Sequence, residues 1–374
     1  MKLDYIVISQ IGNVSYAPTG PFINYLKYKK RRFLTILHPF NDICKDPTLV
    51  KLYTRKKLIL KTFYLKIIKS FGLQFLSYFF EFFFNILYII KNKLNSYRFV
   101  GMDCLAVLGG IILRRMGYVD IVIYYNVDFS RKRFKNLLIN KLYIFLDDFV
   151  ALHSDYVWNV SMRTCKERIK RGVRKENVIH MPNGVHIDNI KINKKSKNRY
   201  SLVYTGHIQK EKGLENLINA FPRILKKEKK ATIIIIGEGE DLFFLKNLVT
   251  TLRLNNNVFF LGKKNNQEVL NILCKQGIGL ALYDLSRDYT YYCDPVKVKE
   301  YLGCGCPVII SGIPEIGNIL KKKKLGLIVK NPDDIINAYE FLLDNTNYEI
   351  YSKGAREFAF EFDWFKMYDK ILIK

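Results

Sequence analysis

Residues 278–312 contain a short apolar run, a long polar loop, a helical stretch and a second apolar run. This order predicts a strand–helix–strand unit of an open α/β sheet. Asp294 and Pro295 predict the start of the helix, with Asp294 as the N-cap and Pro295 at the first helical position. The amides of Val296 and Lys297 would then lie at the positive end of the helix dipole. We therefore expect a phosphate to bind there.

Glu300 lies five residues beyond Pro295, about 7–8 Å along the helix axis. A nucleoside diphosphate bound at the helix start would bring its ribose hydroxyls to this carboxylate. The alternative interpretation is an ordinary capped helix on which Lys297 and Glu300, three residues apart, form a surface pair.

The segment DPVKVKEY and the following GCGCPVII resemble the sugar-nucleotide helix of family 4 glycosyltransferases, the glycosyl transferases group 1. In that family the second Glu of an E-x7-E pair binds the ribose, and Glu300 matches it. Tyr292 stands where the first Glu is usual, so we expect Tyr292 to face the donor. The resemblance implies the GT-B fold, which is α/β with two Rossmann-like parallel-sheet domains facing a cleft. It also implies a C-terminal helix that returns to the first domain.

The resemblance extends to the loops that precede this helix. A strand over residues 200–205 leads to Gly206 and His207, where the family usually has Gly-Arg, and then to Lys212. Lysine is a credible phosphate ligand by itself, and neutral histidine is a weaker substitute for arginine. The alternative for Lys212 is a surface lysine at a helix start, which the helix dipole disfavours. By resemblance, the loops after two further strands border the donor through Gly237, Gly262 and Lys263.

The first half of the chain alternates strands and helices, which predicts a parallel α/β domain. Ligands of open α/β sheets bind at the carboxyl ends of strands. We therefore expect acceptor-side residues in the loop after residues 4–9 and in the loop after residues 121–125, namely Gly12, Asn13, Asp128, Arg131 and Arg133. Asp128 could orient an acceptor hydroxyl and the arginines could hold a phosphate. The alternative is an N-cap aspartate and solvated arginines before a helix that begins near Phe134.

The domain boundary is predicted in the basic, polar segment 191–199, which follows a Pro-Asn-Gly-Val turn at 182–185 where Gly184 is expected to supply a positive φ. The amino-terminal, acceptor-side domain would comprise residues 1–190. The carboxyl-terminal, sugar-nucleotide-binding domain would comprise residues 199–374, including a final helix near residues 364–373.

The net charge is +27, and residues 27–98 contain 16 basic and three acidic residues. This excess favours an anionic partner, although an AT-rich coding sequence gives a similar composition. Residues 71–90 contain one charge, Glu81, over a length that can span a bilayer. A spanning helix would separate strands of one sheet, so a core helix or a helix in the membrane interface remains. Flanking lysines favour the interface, and we assign it to residues 51–98.

Other classes of partner are less well supported. No nucleic-acid readout motif is present, and no D-x-D or complete cysteine–histidine set indicates a metal site or another cofactor. Seven scattered cysteines and an amino terminus without a signal peptide predict a cytoplasmic protein, peripheral on the inner face of the cell membrane.

The prediction is therefore a retaining, metal-independent glycosyltransferase. It would use a nucleotide-sugar donor, most simply a UDP-sugar, and a lipid-linked or polysaccharide acceptor. Lys212, Glu300 and Asp128 are its predicted catalytic residues. The substitutions at Tyr292 and His207 motivate an alternative, a non-catalytic GT-B-like subunit that binds a membrane or a catalytic partner.

Overall fold

The computed structural model describes residues 2–11, 18–39, 48–55, 57–64, 74–191, 197–284 and 286–372. The chain divides into two compact units, Met1–Pro182 and Asn183–Lys374, called unit 1 and unit 2 below. Each unit is built around its own sheet and its own hydrophobic core.

Unit 1 contains an eight-stranded sheet flanked by helices. The strands are β1 Lys2–Ile11, β2 Phe33–Pro39, β3 Thr48–Thr54, β4 Lys57–Tyr64, β5 Asn95–Gly101, β6 Val119–Asn126, β7 Tyr156–Asn159 and β8 Val178–His180. The helices are α1 Thr19–Tyr28, α2 Gln74–Lys91, α3 Cys104–Arg115, α4 Leu137–His153 and α5 Met162–Lys170. The strand order is β4-β3-β2-β1-β5-β6-β7-β8.

Two edge strands depart from the predicted parallel sheet. β3 pairs antiparallel with β2, and β4 pairs antiparallel with β3, whereas the other neighbours are parallel. The hairpin turns at Arg55, whose φ is 48°. A one-faced amphipathic pattern with many lysines suits such an edge hairpin as well as it suits a helix. The predicted interface segment 51–98 comprises most of this hairpin, helix α2 and part of the inner strand β5, and its contact with a membrane stays a prediction.

The core of unit 1 lies between the inner parallel strands and the helices that connect them. Its members include Ile6, Leu34, Phe99 and Val122 from the strands and Val107 from α3, all fully buried. Within the described part of the chain, no helix combines the length and the hydropathy needed to cross a bilayer.

Unit 2 contains a six-stranded, wholly parallel sheet of order β11-β10-β9-β12-β13-β14. The strands are β9 Asn198–Thr205, β10 Thr232–Ile236, β11 Val258–Phe260, β12 Gln276–Ala281, β13 Val308–Ser311 and β14 Gly326–Val329. The helices are α6 Leu214–Lys227, α7 Leu242–Thr251, α8 Asn266–Leu273, α9 Tyr289–Tyr292, α10 Val296–Gly303, α11 Ile316–Lys322, α12 Pro332–Leu343, α13 Asn345–Ala359 and α14 Trp364–Leu372.

Parallel strands buried on both faces explain the near-continuous apolar runs of this half of the sequence. The order of the sheet brings the carboxyl ends of β9, β10 and β11 together as neighbours, with β12 on the other side of β9. The final helix α14 belongs to unit 2. Its return to the first domain stays a prediction.

The turn at residues 182–185 differs from its prediction at one residue. Gly184 is not among the residues with positive φ. Position 184 requires glycine for a different reason, because other residues lie too close for a side chain. An added β-carbon would lie 2.5 Å from the carbonyl oxygen of Phe362 and 2.5 Å from Met367 Cε. The turn is thereby packed against the segment that leads into α14.

Candidate functional site

Three glycine loops meet at the carboxyl ends of β9, β10 and β11. The Gly206 amide donates to the Ile236 carbonyl at 3.0 Å, and the Gly237 amide donates to the Gly262 carbonyl at 3.0 Å. Gly237 has a φ of 147°, and a β-carbon there would lie 1.9 Å from the Gly206 carbonyl oxygen. A larger residue at position 237 would therefore push the first two loops apart.

Lys297 reaches these loops from the first turn of α10. A β-carbon added to Gly206 would lie 3.2 Å from Lys297 Nζ, so the ammonium group sits directly beside this glycine. The same ammonium lies 3.9 Å from the ring centroid of Tyr204 and 5.6 Å from that of Tyr283. Burial, together with the neighbouring cation of Lys212, lowers the pKa of Lys297 well below its usual range.

Lys212 approaches the ring of Tyr283 from a different element. It ends a 3-10 turn, Lys210–Lys212, and its side chain is buried. Nζ donates to Tyr289 Oη at 2.9 Å and lies 5.0 Å from the ring centroid of Tyr283. Burial lowers the pKa of Lys212. The interpretation of Lys212 as a surface lysine is therefore wrong.

Two ammonium groups thus share the ring of Tyr283. Neither Lys212 nor Lys297 has a carboxylate within 4 Å among the described residues. Two partly desolvated cations beside one ring are stabilised by an anion placed between or beside them. Helix α10 adds its positive end, because its first backbone amides have no partner within the helix and Pro295 supplies no side-chain cap. The arrangement is suited to a diphosphate.

Glu300 lies one turn further along α10 and is buried, with 4% of its surface exposed. Its Oε1 accepts a hydrogen bond from Asn266 Nδ2 at 2.8 Å. Burial raises the pKa of Glu300 to about 7, and the Asn266 amide and the Lys297 cation oppose that rise. The surface pair of Lys297 and Glu300 is therefore the wrong interpretation, because the carboxylate is inside the protein.

Asp294 does not cap α10, contrary to the sequence prediction. The N-cap is Pro295 and the helix begins at Val296. The Asp294 carboxylate accepts a hydrogen bond from the Asn183 amide at 2.7 Å and forms an ion pair with the buried Lys299. Asn183 Nδ2 also donates to the Asp294 carbonyl at 2.7 Å. These contacts fasten the loop before α10 to the 182–185 turn and so fix the start of the helix.

The remaining predicted donor residues differ in their surroundings. His207 is half exposed, and its Nε2 lies 3.0 Å from Glu240 Oε2 in the loop after β10. Tyr292 is buried at the end of α9, with its ring 5.0 Å from that of Tyr291. Lys263 is exposed beside Gly262, around which there is open space. Neither His207 nor Tyr292 therefore supplies the charged group usual at its position in the family.

The predicted acceptor-side residues belong to unit 1. Asp128 is exposed, and its carbonyl accepts a hydrogen bond from Arg133 Nη1 at 3.2 Å. Arg131 forms an ion pair with Glu167. Asp128 is not an N-cap, because α4 begins at Leu137 and is capped by Asn136. Gly12 and Asn13 lie outside the described residues.

Sequence reasoning missed four neighbours of the donor residues: Tyr204, Tyr283, Tyr289 and Asn266. Each follows or ends a strand or begins a helix at the same edge of the sheet. Their positions at strand ends were readable from the sequence. The directions of their side chains were not predictable, because tyrosine also occurs frequently in hydrophobic cores.

Comparison with known proteins finds a family similarity in the second half of the chain. Residues 186–358 match the family model described as glycosyl transferases group 1. The matched segment includes Lys212, Lys297 and Glu300, together with all three glycine loops.

Individual relatives are more distant. An uncharacterised glycosyltransferase of Methanocaldococcus jannaschii is 28% identical over 245 residues, which cover 61% of this chain and 60% of the relative. The alpha-monoglucosyldiacylglycerol synthase of Streptococcus pneumoniae is 27% identical over 143 residues, covering 37% and 30%. These matches thus span less than two thirds of either relative.

Solved structures extend the comparison of the fold to the whole chain. The Anabaena protein HepE, in complex with UDP, aligns with a TM-score of 0.73 at 15% identity and covers 99% of this chain and 98% of its own. Sucrose-phosphate synthase from Thermosynechococcus elongatus aligns with a TM-score of 0.75 at 14% identity, covering 99% and 97%. The predicted GT-B fold class is confirmed.

Proposed function

We propose that this protein is a retaining glycosyltransferase that uses a UDP-sugar donor. The observation that carries the proposal is the pair of buried ammonium groups, Lys212 and Lys297, on the ring of Tyr283 beside the start of α10. As the bond between the sugar and the diphosphate breaks, negative charge grows on the departing phosphate oxygen. Preorganised cations and helix amides stabilise that charge more in the transition state than in the ground state.

Glu300 is proposed to hold the ribose. A carboxylate one turn along the helix from the phosphate site accepts hydrogen bonds from two adjacent hydroxyls, and Asn266 fixes its orientation. UDP is proposed as the nucleotide because a structural neighbour binds it. Gly206, Gly237, Gly262, Lys263, His207, Tyr292 and the amides of Val296 and Lys297 complete the proposed donor site.

The acceptor is proposed to be lipid-linked or a polysaccharide, and the protein is proposed to work at the inner face of the cell membrane. The name of the pneumococcal relative supports a lipid acceptor, and the charge of +27 supports an anionic surface. Asp128 is proposed to orient the acceptor hydroxyl, with Arg131 and Arg133 nearby in the chain. Retention requires no protein nucleophile if the acceptor attacks from the face that the diphosphate leaves.

The test is transfer or hydrolysis of labelled UDP-sugars by the wild type, Glu300→Ala and Lys212→Met. We expect turnover to fall at least about a hundredfold in Lys212→Met, since this variant lacks one of the two cations that stabilise the departing diphosphate. Glu300→Ala should weaken donor binding. Equal turnover in all three proteins would remove these residues from the site.

A second outcome would favour the non-catalytic subunit. His207 pairs with Glu240 and Tyr292 is buried, so neither residue supplies the arginine or the glutamate that is usual at its position in the family. If UDP, GDP and ADP each fail to raise the melting temperature, the protein does not bind a nucleotide and the subunit interpretation replaces the enzyme.

A further inference from the structure

Three neighbouring helices of unit 1 present apolar side chains outward. Helix α3 packs against both α2 and α4. Helix α2 exposes Phe79, Phe80, Phe83 and Leu87, and α4 exposes Leu137, Leu138, Leu142 and Phe145. Between them, α3 presents the half-buried Leu105, Leu108 and Ile112. These eleven residues are called the apolar helix face below. Leu138 is 77% exposed and Phe145 is 68% exposed, whereas the outer side of such a layer normally carries polar residues.

The orientation of α2 is fixed by polar contacts on its opposite side. Ser77, Glu81 and Asn85 are buried. Gln10 Nε2 donates to Glu81 Oε2 at 3.1 Å, and His38 Nε2 lies 2.8 Å from Asn85 Oδ1. Rotating the helix to bury its phenylalanines would break these buried hydrogen bonds, which is costly. The aromatic residues therefore face outward because the polar residues are required inside.

Helix α4, like α2, buries a polar side chain and exposes apolar ones. Its Asp147 is buried, accepts two hydrogen bonds from Arg168 at 2.6 and 2.9 Å, and accepts a third from Tyr124 Oη at 2.6 Å. Leu138, Leu142 and Phe145 lie on the other side of the helix, at spacings of four and three residues. Two helices of one layer thus bury a carboxylate each and expose leucine and phenylalanine.

Basic residues border the apolar helix face at both ends. Residues 74–153 contain ten Lys or Arg and six Asp or Glu. Of the six acids, Glu81 and Asp147 are buried, and Asp120 and Asp148 are in salt bridges. The exposed lysines include Lys91 and Lys93 at the end of α2 and Lys135 and Lys141 at the start of α4. An apolar surface edged by cations is complementary to a lipid bilayer with anionic head groups.

We propose that the apolar helix face enters the interfacial layer of an anionic membrane. The proposal rests on the proposed function, since it names the surface by which a lipid-linked acceptor is reached. It differs from the interface segment expected from the sequence, because half of its most exposed residues are on α4 and the 48–64 hairpin is not part of it.

The test is sedimentation with vesicles of phosphatidylglycerol and phosphatidylcholine, and with vesicles of phosphatidylcholine alone. Leu138→Ser with Leu142→Ser should weaken binding at least about tenfold, since apolar area no longer enters the lipid. Lys135→Ala and Lys141→Ala should each weaken binding to the anionic vesicles about fivefold. The matched control is Phe243→Ser with Phe244→Ser, which removes exposed phenylalanines from α7 in unit 2 and should leave binding unchanged.

Equal sedimentation of the wild type and the Leu138, Leu142 double variant overturns the proposal. So does a lipid-free dimer that the same variant converts to a monomer, because a second copy of the chain would then cover the face. Thermal shifts with UDP-glucose, measured on the same samples, separate this proposal from the enzymatic one. A retained shift with no vesicle binding overturns only the membrane surface, and vesicle binding with no shift overturns only the donor site.

Discussion

At the scale of single residues, Glu300 has the most distinctive environment in unit 2. Its carboxyl group is buried on a helix, and that burial raises its pKa to about 7. The free protein therefore takes up a proton there as the pH falls through about 7. A ribose hydroxyl pair donates its hydrogen bonds to the ionised form.

We therefore expect affinity for UDP-glucose to increase about tenfold between pH 6 and pH 8, following the ionised fraction of Glu300. UDP-glucose is the better probe because its phosphates are diesters that do not titrate in this range. Titration calorimetry at several pH values measures the profile. Glu300→Gln should bind more weakly and lose the increase, and a variant that keeps the full profile would contradict the assignment.

The same raised pKa predicts a dependence of stability on pH. Between about 4.5 and about 7 the folded state holds a proton on Glu300 that the unfolded state has lost. This proton stabilises the folded state fully at pH values below the pKa of Glu300 in the unfolded chain. The stabilisation is lost as the pH rises through the pKa of Glu300 in the folded protein. Urea unfolding should show a smaller pH dependence in Glu300→Gln than in the wild type over this window, and identical slopes would argue against the raised pKa.

Lys297 and Lys299 are two residues apart on α10 and give a matched pair of substitutions. Lys297 has a second cation as its neighbour, whereas Lys299 is fully buried and paired with Asp294. Lys297→Met should weaken UDP binding and leave the free energy of unfolding unchanged or slightly higher, because a desolvated charge is removed. Calorimetry and urea unfolding measure the two effects separately.

At the scale of the element, the start of α10 depends on the contacts of the loop before it. Lys299→Met leaves Asp294 without its cation, and Asp294 also holds the Asn183 amide. We expect a loss of about 3 kcal/mol in the free energy of unfolding. UDP affinity per folded molecule should change less than in Lys297→Met. The reverse ranking of the two variants would mean that Lys299, rather than Lys297, serves the donor.

The elements of unit 1 differ in how well the sequence predicts them. Strands β1 and β6 contain the predicted ranges 4–9 and 121–125 and extend one or two residues beyond them at each end, because their apolar patterns are clear. The β3–β4 hairpin was missed, since lysine-rich alternation over a short edge strand resembles one face of a helix. For α2 the buried Glu81 and Asn85 were not foreseeable, because their partners Gln10 and His38 are distant in sequence.

At the scale of the whole molecule, each unit has a separate core. The core of unit 1 and the two clusters of unit 2 share no residue. Lys212, Lys297 and Glu300 all belong to unit 2. A ligand that binds these residues should therefore stabilise unit 2 directly.

We expect differential scanning calorimetry to resolve two transitions, of which UDP-glucose raises only one. At a ligand concentration of about 100 times Kd, the stabilisation should be about 2.7 kcal/mol. Hydrogen exchange should show the added protection in α10 and at the ends of β9 and β10. A single transition that shifts as a whole would show that the two cores unfold together.

Sequence patterns alone predict the alternation of strands and helices, the glycine loops and the family-like order of Lys212 and Glu300. These features depend on local spacing, which a linear pattern records. Other features become visible only in the folded chain: Lys297 joins Lys212 on Tyr283, Asp294 binds Lys299 instead of capping its helix, and α2 and α4 turn phenylalanine and leucine outward. Each of these depends on which side of an element packs against residues far away in the chain, and a local sequence pattern does not record such long-range contacts.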